Sequence, residues 1–238
     1  MNGHQNKKEA LAIGKIFHKL NYNVTIADFN RPKECKKRKY DIIFGLEPNF
    51  ESMCRKNPNA LKIYYATGAF WKHQSNMVQK RTDLFNKEHR TNLAYSRMVS
   101  PHDSCQIADY IIQIGSSFTI STYPTELQNK IRTVNQSCNF YGRYEQTLKK
   151  QFISQKDFMW FGSSGSILKG LDLVIEYFMK HPEYNLHVVG PLDEDFEIYY
   201  RERIKKHENI ILYGFLDTSS EKFLEVAYKS CANIFPSA

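Results

Sequence analysis

Residues 157–180, DFMWFGSSGSILKGLDLVIEYFMK, decide the fold of this chain. The apolar run Phe158–Phe161 predicts a buried strand, and the small residues at 162–165 predict a turn. The residues that follow show helical spacing, with one apolar and one polar face. The apolar stripe consists of Leu171, Val174, Ile175 and Phe178, and the face expected in solvent carries Asp172, Glu176 and Lys180.

The turn between strand and helix is a candidate phosphate site. Backbone N–H groups at a helix N-terminus, uncovered by large side chains, attract phosphate oxygens. Lys169 stands at the start of the predicted helix and would add a full positive charge. The alternative is a tight strand–helix connection whose lysine only faces water, because Gly/Ser turns are common. The candidate residues are Gly162, Ser163, Ser164, Gly165 and Lys169.

The composition is that of an ordinary globular protein. The chain has 238 residues, of which 42% are hydrophobic and 24% charged, enough for one large or two modest domains. No apolar run approaches the roughly 20 residues that cross a bilayer, and the N-terminus lacks the apolar core of a secretory signal. The expected compartment is therefore the cytoplasm.

The cysteines and the net charge limit the kinds of metal site and binding partner that we expect. Five cysteines without a CxxC pair argue against a disulfide framework and against a zinc site. The net charge of +8 suits nucleotide phosphates, nucleic acid or an acidic membrane surface. Basic clusters at 31–39, 80–97 and 201–206 are each typical of solvated loops or helix faces. Because the charge is spread along the chain, we expect no nucleic-acid partner.

The N-terminal half alternates helices with apolar strands, which predicts an α/β fold with a parallel sheet. Its first helix runs through Ile13 and Leu20, with Asn6 and Glu9 as a capping box. Further helices are expected at about 48–57 and 72–88, and after Ser116 or Ser117. The predicted strands are Val24–Asp28, Tyr40–Leu46, Leu61–Gly68, Asp109–Gly115 and Lys130–Val134. Since Asn2-Gly3-His4 looks like a loop that follows a strand, the sheet is expected to lack its first strand.

The C-terminal half predicts a second parallel sheet. Residues 135–147 are polar and irregular, so the predicted domains are 1–145 and 152–238. Beyond the strand at 158–161, the predicted strands are Asn185–Gly190, Ile210–Phe215 and the segment from Cys231, with helices around 193–207 and after a cap at Thr218 or Ser219. Gly162, Gly190 and Gly214 stand at the carboxyl ends of strands, the edge where open α/β sheets bind ligands.

Several motifs together resemble a known family. In the C-terminal half they are WFGSSGSILKGLDLVIEYF, HVVGP, IILYGFLD and EKFLEVAYKSCANIFPSA, and in the N-terminal half YYATGAFW and DYIIQIGSSFTISTY. The chain resembles the nucleotide-sugar-dependent glycosyltransferases of the GT-B fold, in particular the large retaining family often called group 1. The resemblance spans nearly the whole chain.

The resemblance implies two Rossmann-like domains that transfer a sugar from a nucleoside-diphosphate sugar to a glycan or lipid-linked acceptor, without a metal or cofactor. It also implies activity in polysaccharide biosynthesis, with peripheral contact to the inner face of an acidic membrane. Fixed donors and a cation would stabilise the departing diphosphate. The implied donor-diphosphate residues are Gly162, Ser163, Ser164, Gly165 and Lys169. The nucleotide base and ribose would lie near Gly190, Gly214, Phe215 and Leu216, and the acceptor near Gly3, His4, Gly68 and Phe70.

The chain departs from the family pattern in three places. Many members carry an arginine on the glycine turn, where this chain has Ser163 and Ser164. Lys169 is therefore the one cation that the sequence identifies for the diphosphate. Phe70 replaces a frequent histidine, with His73 as a substitute candidate for catalysis, although such a histidine is more often a packing residue. The family's acidic motif would follow Ala238, so the chain looks like a piece clipped at both ends.

Three functions are therefore compared. The first is a glycosyltransferase or a fragment of one. The second is a non-catalytic, truncated homologue that binds nucleotide weakly or partners another subunit. The third is a Rossmann-like binder of nucleic acid or dinucleotide, which is disfavoured because no G-x-G-x-x-G run follows a strand. We expect the chain alone to bind nucleoside diphosphates weakly and to transfer no sugar.

Overall fold

The protein has an α/β fold with two parallel sheets. A computed structural model of the chain describes residues 5–27, 38–138 and 153–237. It divides into two compact units, the first formed by Met1–Gln74 and Val99–Phe140 and the second by Ser75–Met98 and Tyr141–Ala238. Residues 75–98 therefore group with the C-terminal half of the chain.

The first unit holds a sheet of four parallel strands in the order β1-β2-β3-β4. The predicted strands at 40–46, 61–68, 109–115 and 130–134 are confirmed, as are the helices near 48–57, near 72–88 and after Ser116. The strands are β1 (Ile42–Gly45), β2 (Leu61–Ala66), β3 (Tyr110–Ile114) and β4 (Ile131–Val134). The helices are α1 (Gln5–Lys19), α2 (Asn49–Lys56), α3 (Trp71–His89), α4 (Ser104–Ile107), α5 (Ser117–Ser121) and α6 (Thr125–Gln128).

Two predictions about the N-terminal segment are wrong. No strand forms at Val24–Ala27, where Ile26 is 54% exposed and no neighbouring strand pairs with the segment among the described residues; Asp28 lies outside them. The helix begins at Gln5, so Asn6 lies inside it and is not its cap. Glu9 instead accepts a hydrogen bond from the Tyr65 hydroxyl at 3.2 Å.

The second unit holds four parallel strands in the order β7-β6-β5-β8. All its predicted strands and helices are confirmed, except that the last helix is capped by Ser220, whose hydroxyl accepts from the Phe223 N–H. The predicted irregular segment lies mostly outside the described residues, from 139 onward. The elements are β5 (Ser154–Phe161), α7 (Leu171–Lys180), β6 (Asn185–Val189), α8 (Glu194–Ile204), β7 (Ile210–Gly214), α9 (Glu221–Lys229) and β8 (Ser230–Asn233).

The helix α7 buries the stripe predicted for it, but its polar face is not all in solvent. Leu171, Val174, Ile175 and Phe178 are all buried, as expected. Asp172, however, is only 3% exposed and accepts two hydrogen bonds from Arg81 Nη2, at 2.8 and 3.0 Å. The prediction of a solvated Asp172 fails because residues 75–98 cover that face of α7. Phe85 from the same segment enters the core of the second unit.

The Arg81–Asp172 pair is buried and therefore costly to break. Burial raises the pKa of the Asp172 carboxyl, and the Arg81 guanidinium partly offsets this effect. Removing Arg81 would leave a buried carboxyl without its partner. We expect Arg81→Ala to lower the free energy of unfolding by about 3–5 kcal/mol in urea titrations followed by circular dichroism.

Lys80→Ala is the matched control, because Lys80 is exposed on the same helix. We expect it to change the free energy of unfolding by less than about 0.5 kcal/mol. The double substitution Arg81→Leu with Asp172→Leu should recover most of the lost stability, since no buried charge remains. An Arg81→Ala protein as stable as the control would show that the pair does not hold residues 75–98 in place.

Candidate functional site

The order of strands in the second sheet marks one edge as a ligand site. From β5 the chain passes to β6 and β7 on one side, whereas β8 lies on the other side of β5. The loops that leave β5 and β8 therefore diverge, and the carboxyl ends of these strands form the switch point where open α/β sheets bind ligands. The turn at 162–165 leaves β5 at this point.

Three glycines line this edge and lie next to one another. The Gly162 N–H donates to the Val189 carbonyl at 3.0 Å, and the Gly190 N–H donates to the Gly214 carbonyl at 2.8 Å. A Cβ on Gly190 would collide with the Gly162 carbonyl oxygen, and the φ of Gly190 is 129°. A side chain at Gly190 would therefore force the ends of β5 and β6 apart, whereas a Cβ at Gly214 would meet no atom within 4 Å.

Lys169 closes the turn after β5. Its ammonium Nζ donates to the Ser163 carbonyl at 3.0 Å and to the Ser163 hydroxyl at 2.7 Å. The Lys169 backbone is fixed as well, because its carbonyl accepts from the indole N–H of the buried Trp160 at 3.3 Å. The structure thus brings Lys169 onto the predicted turn, two residues before α7 begins at Leu171.

Two backbone N–H groups of the turn are already occupied, contrary to the expectation of free donors. The Gly165 N–H donates to both oxygens of Asp193, at 3.0 and 3.1 Å, and the Ser166 N–H donates to Asp193 at 2.7 Å. Asp193 is the N-cap residue of α8. An internal carboxylate therefore takes the place on these two donors that a phosphate would otherwise take. The assignment of Gly165 to a diphosphate site remains a prediction.

Arg97 is a second cation at the turn, and sequence reasoning missed it. Its Nη1 lies 3.5 Å from the Ser163 hydroxyl and 3.4 Å from the Ser164 carbonyl oxygen. The neighbouring Ser96 hydroxyl donates to Asp193 at 3.0 Å, which ties this segment to the turn. The basic cluster at 80–97 was the only sequence signal for Arg97, and it was interpreted as a solvated face.

The two cations both approach Ser163, and their proximity affects the pKa of Lys169. Burial and, to a smaller extent, the positive charge of Arg97 lower the pKa of the Lys169 ammonium to about 8, while Asp193 opposes both effects. Close like charges disfavour one another until an anion binds between them. The Ser163 and Ser164 side chains are exposed beside these cations. The arrangement can bind a dianionic or trianionic group.

The residues expected on the base and ribose side divide into two kinds. Gly190 and Gly214 lie at the sheet edge described above. Phe215 follows β7 and is 78% exposed, so its ring is open to stacking. Leu216 instead packs against a buried cluster that contains Met159, Val189 and Val226.

The predicted acceptor-side residues lie in the first unit, where the described ones make structural contacts. The Gly68 carbonyl accepts from the buried Gln113 amide at 2.9 Å. Phe70 belongs to the core, and its N–H donates to the Thr122 hydroxyl at 3.0 Å. The His73 ring lies edge-on to Phe118, with centroids 6.3 Å apart. Gly3 and His4 lie outside the described residues.

Other features of the described residues bear on cofactors and membranes. Cys54, Cys105, Cys138 and Cys231 are free thiols, while Cys35 is not described. Within the described ranges no group of three or more His, Cys, Asp or Glu side chains is placed to hold a metal ion. None of the helices in those ranges is both long and apolar enough to cross a bilayer.

The comparisons with known proteins rest on structure alone. Neither a scan against protein-family models nor a search of curated proteins gives a match. Among solved structures, Anabaena Alr3699/HepE in complex with UDP and glucose has a TM-score of 0.51 at 11% identity, over 90% of this chain and 59% of that one. WaaG, a glycosyltransferase involved in lipopolysaccharide biosynthesis, has a TM-score of 0.45 at 13% identity, over 74% of this chain and 50% of that one.

A third solved structure is the lipopolysaccharide outer core galactosyltransferase WaaB in its apo form. Its TM-score is 0.41 at 16% identity, over 74% of this chain and 50% of that one. The chain thus spans about half the length of the WaaG and WaaB structures. The likeness to HepE shows the fold, and the predicted α/β fold of GT-B glycosyltransferases is confirmed.

The effect of the Arg97 charge on the pKa of Lys169 can be measured directly. Arg97→Ala removes both a positive charge and part of the cover over Lys169, so we expect the pKa of Lys169 to rise from about 8 toward the ordinary lysine value. Proton-detected NMR of the lysine side chains over a pH series gives this pKa.

Arg90→Ala is the control, because Arg90 shares the left-handed backbone of Arg97, with φ of 54° against 67°. It should leave the Lys169 pKa unchanged. If Arg97→Ala also leaves it unchanged, Arg97 does not share the volume of the ammonium group.

Proposed function

We propose that this chain is a nucleotide-sugar-dependent glycosyltransferase, or a fragment of one, whose second unit binds the diphosphate of the donor. The observation that carries the proposal is the convergence of Lys169 and Arg97 on Ser163. It occurs at the switch point of a parallel sheet, where the fold class places its ligands. Its confirmed GT-B-like fold supports the proposal.

The proposed chemistry needs no covalent intermediate on the protein at this site. As the bond between the sugar carbon and the diphosphate oxygen breaks, negative charge accumulates on the departing nucleoside diphosphate. With the diphosphate bound as proposed, the Lys169 ammonium and the Arg97 guanidinium would face this charge, and fixed cations of this kind lower the barrier. They would also supply the neutralisation that a divalent cation provides elsewhere, so we propose transfer without a metal. Asp193 would act as a positioning residue for the turn.

The remaining subsites follow from the same orientation of the donor. With its diphosphate at Ser163 and Ser164, the nucleotide would extend along the sheet edge past Gly190 and Gly214. Phe215, with its ring in solvent, would stack on the base, whereas the buried packing of Leu216 limits it to a supporting role. HepE was solved with UDP and glucose, so UDP is the first ligand to test.

The acceptor side of the proposal concerns the first unit. We propose a glycan or lipid-linked acceptor near Gly3, His4, Gly68 and Phe70, with His73 as the candidate catalytic histidine. Polysaccharide biosynthesis at the cytoplasmic face of a membrane would supply such an acceptor. The net charge of +8 favours peripheral contact with an acidic lipid surface.

A second candidate is a homologue that binds nucleotide but transfers no sugar. It is favoured by the Asp193 carboxylate, which occupies two N–H groups of the turn and leaves fewer donors for a diphosphate. Both candidates share the diphosphate site and differ only in transfer. Incubation with a panel of nucleotide sugars and glycan acceptors tests transfer: product formation supports an active glycosyltransferase and excludes the second candidate, whereas binding without product is expected both of a fragment and of the second candidate.

The diphosphate site is tested by calorimetry with UDP. We expect Lys169→Ala to weaken binding by about 10- to 150-fold, the loss of one charged hydrogen bond of about 1.5–3 kcal/mol. Arg97→Ala should weaken it in the same direction. Lys180→Ala removes an exposed lysine at the far end of α7 and should bind UDP normally. Unchanged affinity of Lys169→Ala would remove this lysine from the site.

The affinity should also depend on pH. The pKa of Lys169 is lowered to about 8, so the free protein loses this positive charge above that pH. UDP is fully ionised there, and affinity should fall severalfold between about pH 7 and about pH 9. Lys169→Arg keeps its charge over this range and should bind UDP with little dependence on pH. The same decline in both proteins would contradict the proposed role of Lys169.

A further inference from the structure

Lys169 has an environment that allows its side chain to react as an amine. The side chain is half-buried beside the turn after β5. Burial and, to a smaller extent, the positive charge of Arg97 lower the pKa of its ammonium to about 8. Desolvation or a neighbouring cation activates lysines for attack on carbonyl groups in this way. The proposed sugar transfer uses Lys169 only as a cation, so it leaves this amine chemistry without a role.

The lowered pKa sets how much of the reactive, neutral amine is present at neutral pH. At pH 7 a lysine with the ordinary pKa is neutral in roughly one molecule in 2,500, whereas a pKa of about 8 makes Lys169 neutral in roughly one molecule in ten. A less basic amine is also a weaker nucleophile, which offsets part of this gain. With a Brønsted dependence like that of thiols, a net rate advantage of about tenfold remains.

The geometry places an anion-binding group beside this amine. Lys169 Nζ donates to the Ser163 hydroxyl at 2.7 Å, and Arg97 Nη1 lies 3.5 Å from the same oxygen. Both nitrogens thus reach one oxygen atom, and a molecule only a few bonds long can span them. Ser163 and Ser164 are exposed, so such a molecule can enter from solvent. Because a guanidinium binds phosphate through a planar fork of N–H groups, a phosphate on Arg97 would present the rest of its molecule to Lys169.

We propose that Lys169 is a covalent modification site for small phosphorylated aldehydes, in which Arg97 holds the phosphate while the Lys169 amine condenses with the aldehyde carbon. The lone pair of the neutral amine forms a bond to that carbon, and the resulting carbinolamine loses one water to give an imine. The imine nitrogen takes up the proton that the ammonium had released. No oxidant or reductant takes part, and the adduct keeps the positive charge of Lys169.

A phosphorylated aldehyde fits this pair of side chains better than either group alone. A phosphate without an aldehyde can bind only by charge, and an aldehyde without a phosphate has no group for Arg97 to hold. A phosphate on Arg97 would offset the smaller of the two causes that lower the pKa of Lys169. Burial, the larger cause, remains, with Asp193 opposing it as before. The amine therefore stays reactive when the phosphate is bound.

The inference rests on the anion site proposed above and not on sugar transfer. An imine at Lys169 would occupy the place proposed for the donor diphosphate. It would therefore block nucleotide binding until hydrolysis released the amine. Since the condensation is reversible, short aldose phosphates would act as reversible inhibitors of the site.

The test uses the whole chain and pyridoxal 5′-phosphate as the probe, an aldehyde that carries a phosphate. Borohydride added after timed incubation at pH 7 converts each imine to a stable secondary amine, and mass spectrometry of the proteolytic fragments locates it. We expect Lys169 to be labelled at least about tenfold faster than Lys80 and Lys180, which are exposed lysines of α3 and α7.

Two controls separate the reactivity of the amine from the binding of the phosphate. Pyridoxal carries the same aldehyde without the phosphate, and we expect it to label Lys169 at least about tenfold more slowly. Arg97→Ala removes the group that holds the phosphate and should slow the labelling by pyridoxal 5′-phosphate to a similar extent. Arg90→Ala removes an exposed arginine of the same 75–98 segment and should leave the labelling of Lys169 unchanged.

Three results would overturn the proposal. They are labelling of Lys169 no faster than that of Lys80 and Lys180, equal labelling by pyridoxal and its phosphate, and equal loss of labelling in both arginine variants. Excess UDP is added to a parallel set of reactions. Selective labelling of Lys169 that UDP does not slow would support the aldehyde site and contradict the proposed nucleotide site, so the two proposals fail separately.

Discussion

The carboxylate of Asp193 is the interaction on which the candidate site depends. It accepts hydrogen bonds from the N–H groups of Gly165 and Ser166 and from the Ser96 hydroxyl. One side chain thus joins the start of α8, the turn after β5 and the segment that precedes Arg97. Charge-assisted bonds of this kind are among the stronger ones in proteins, and they hold the segment that carries Arg97 against the turn.

The carboxylate also limits where an anionic ligand could bind. Because it occupies two backbone donors, an incoming phosphate must use the outer part of the turn, where Lys169 and Arg97 meet at Ser163. These cations repel one another, and the ammonium is partly removed from water, which depresses its pKa. An anion bound between the two cations would offset both their mutual repulsion and the lost hydration of the ammonium. Ser163 and Ser164 are exposed beside the two cations, so an anion can reach them.

The sequence predicted most of the secondary structure, because strands such as β3 and β6 are short apolar runs and helices such as α7 show clear spacing. Prediction from the sequence failed where the environment of a residue depends on a partner far away in the chain. Asp172 looked solvated because its partner, Arg81, lies 91 positions away. Val24–Ala27 has the composition of a strand but pairs with none of the strands in the described part of the chain. Arg97 reaches the turn only through tertiary packing, so no local pattern could have assigned it.

We propose above all that a nucleoside diphosphate binds at the carboxyl edge of the second sheet. Amide chemical-shift mapping of the isotope-labelled chain during titration with UDP tests this binding most directly. We expect the largest shifts at Ser163, Ser164 and Lys169, with further changes at Gly190 and Gly214 and at the Arg97 side chain. Shifts confined to the first unit, or saturable binding that leaves the turn after β5 unperturbed, would contradict it.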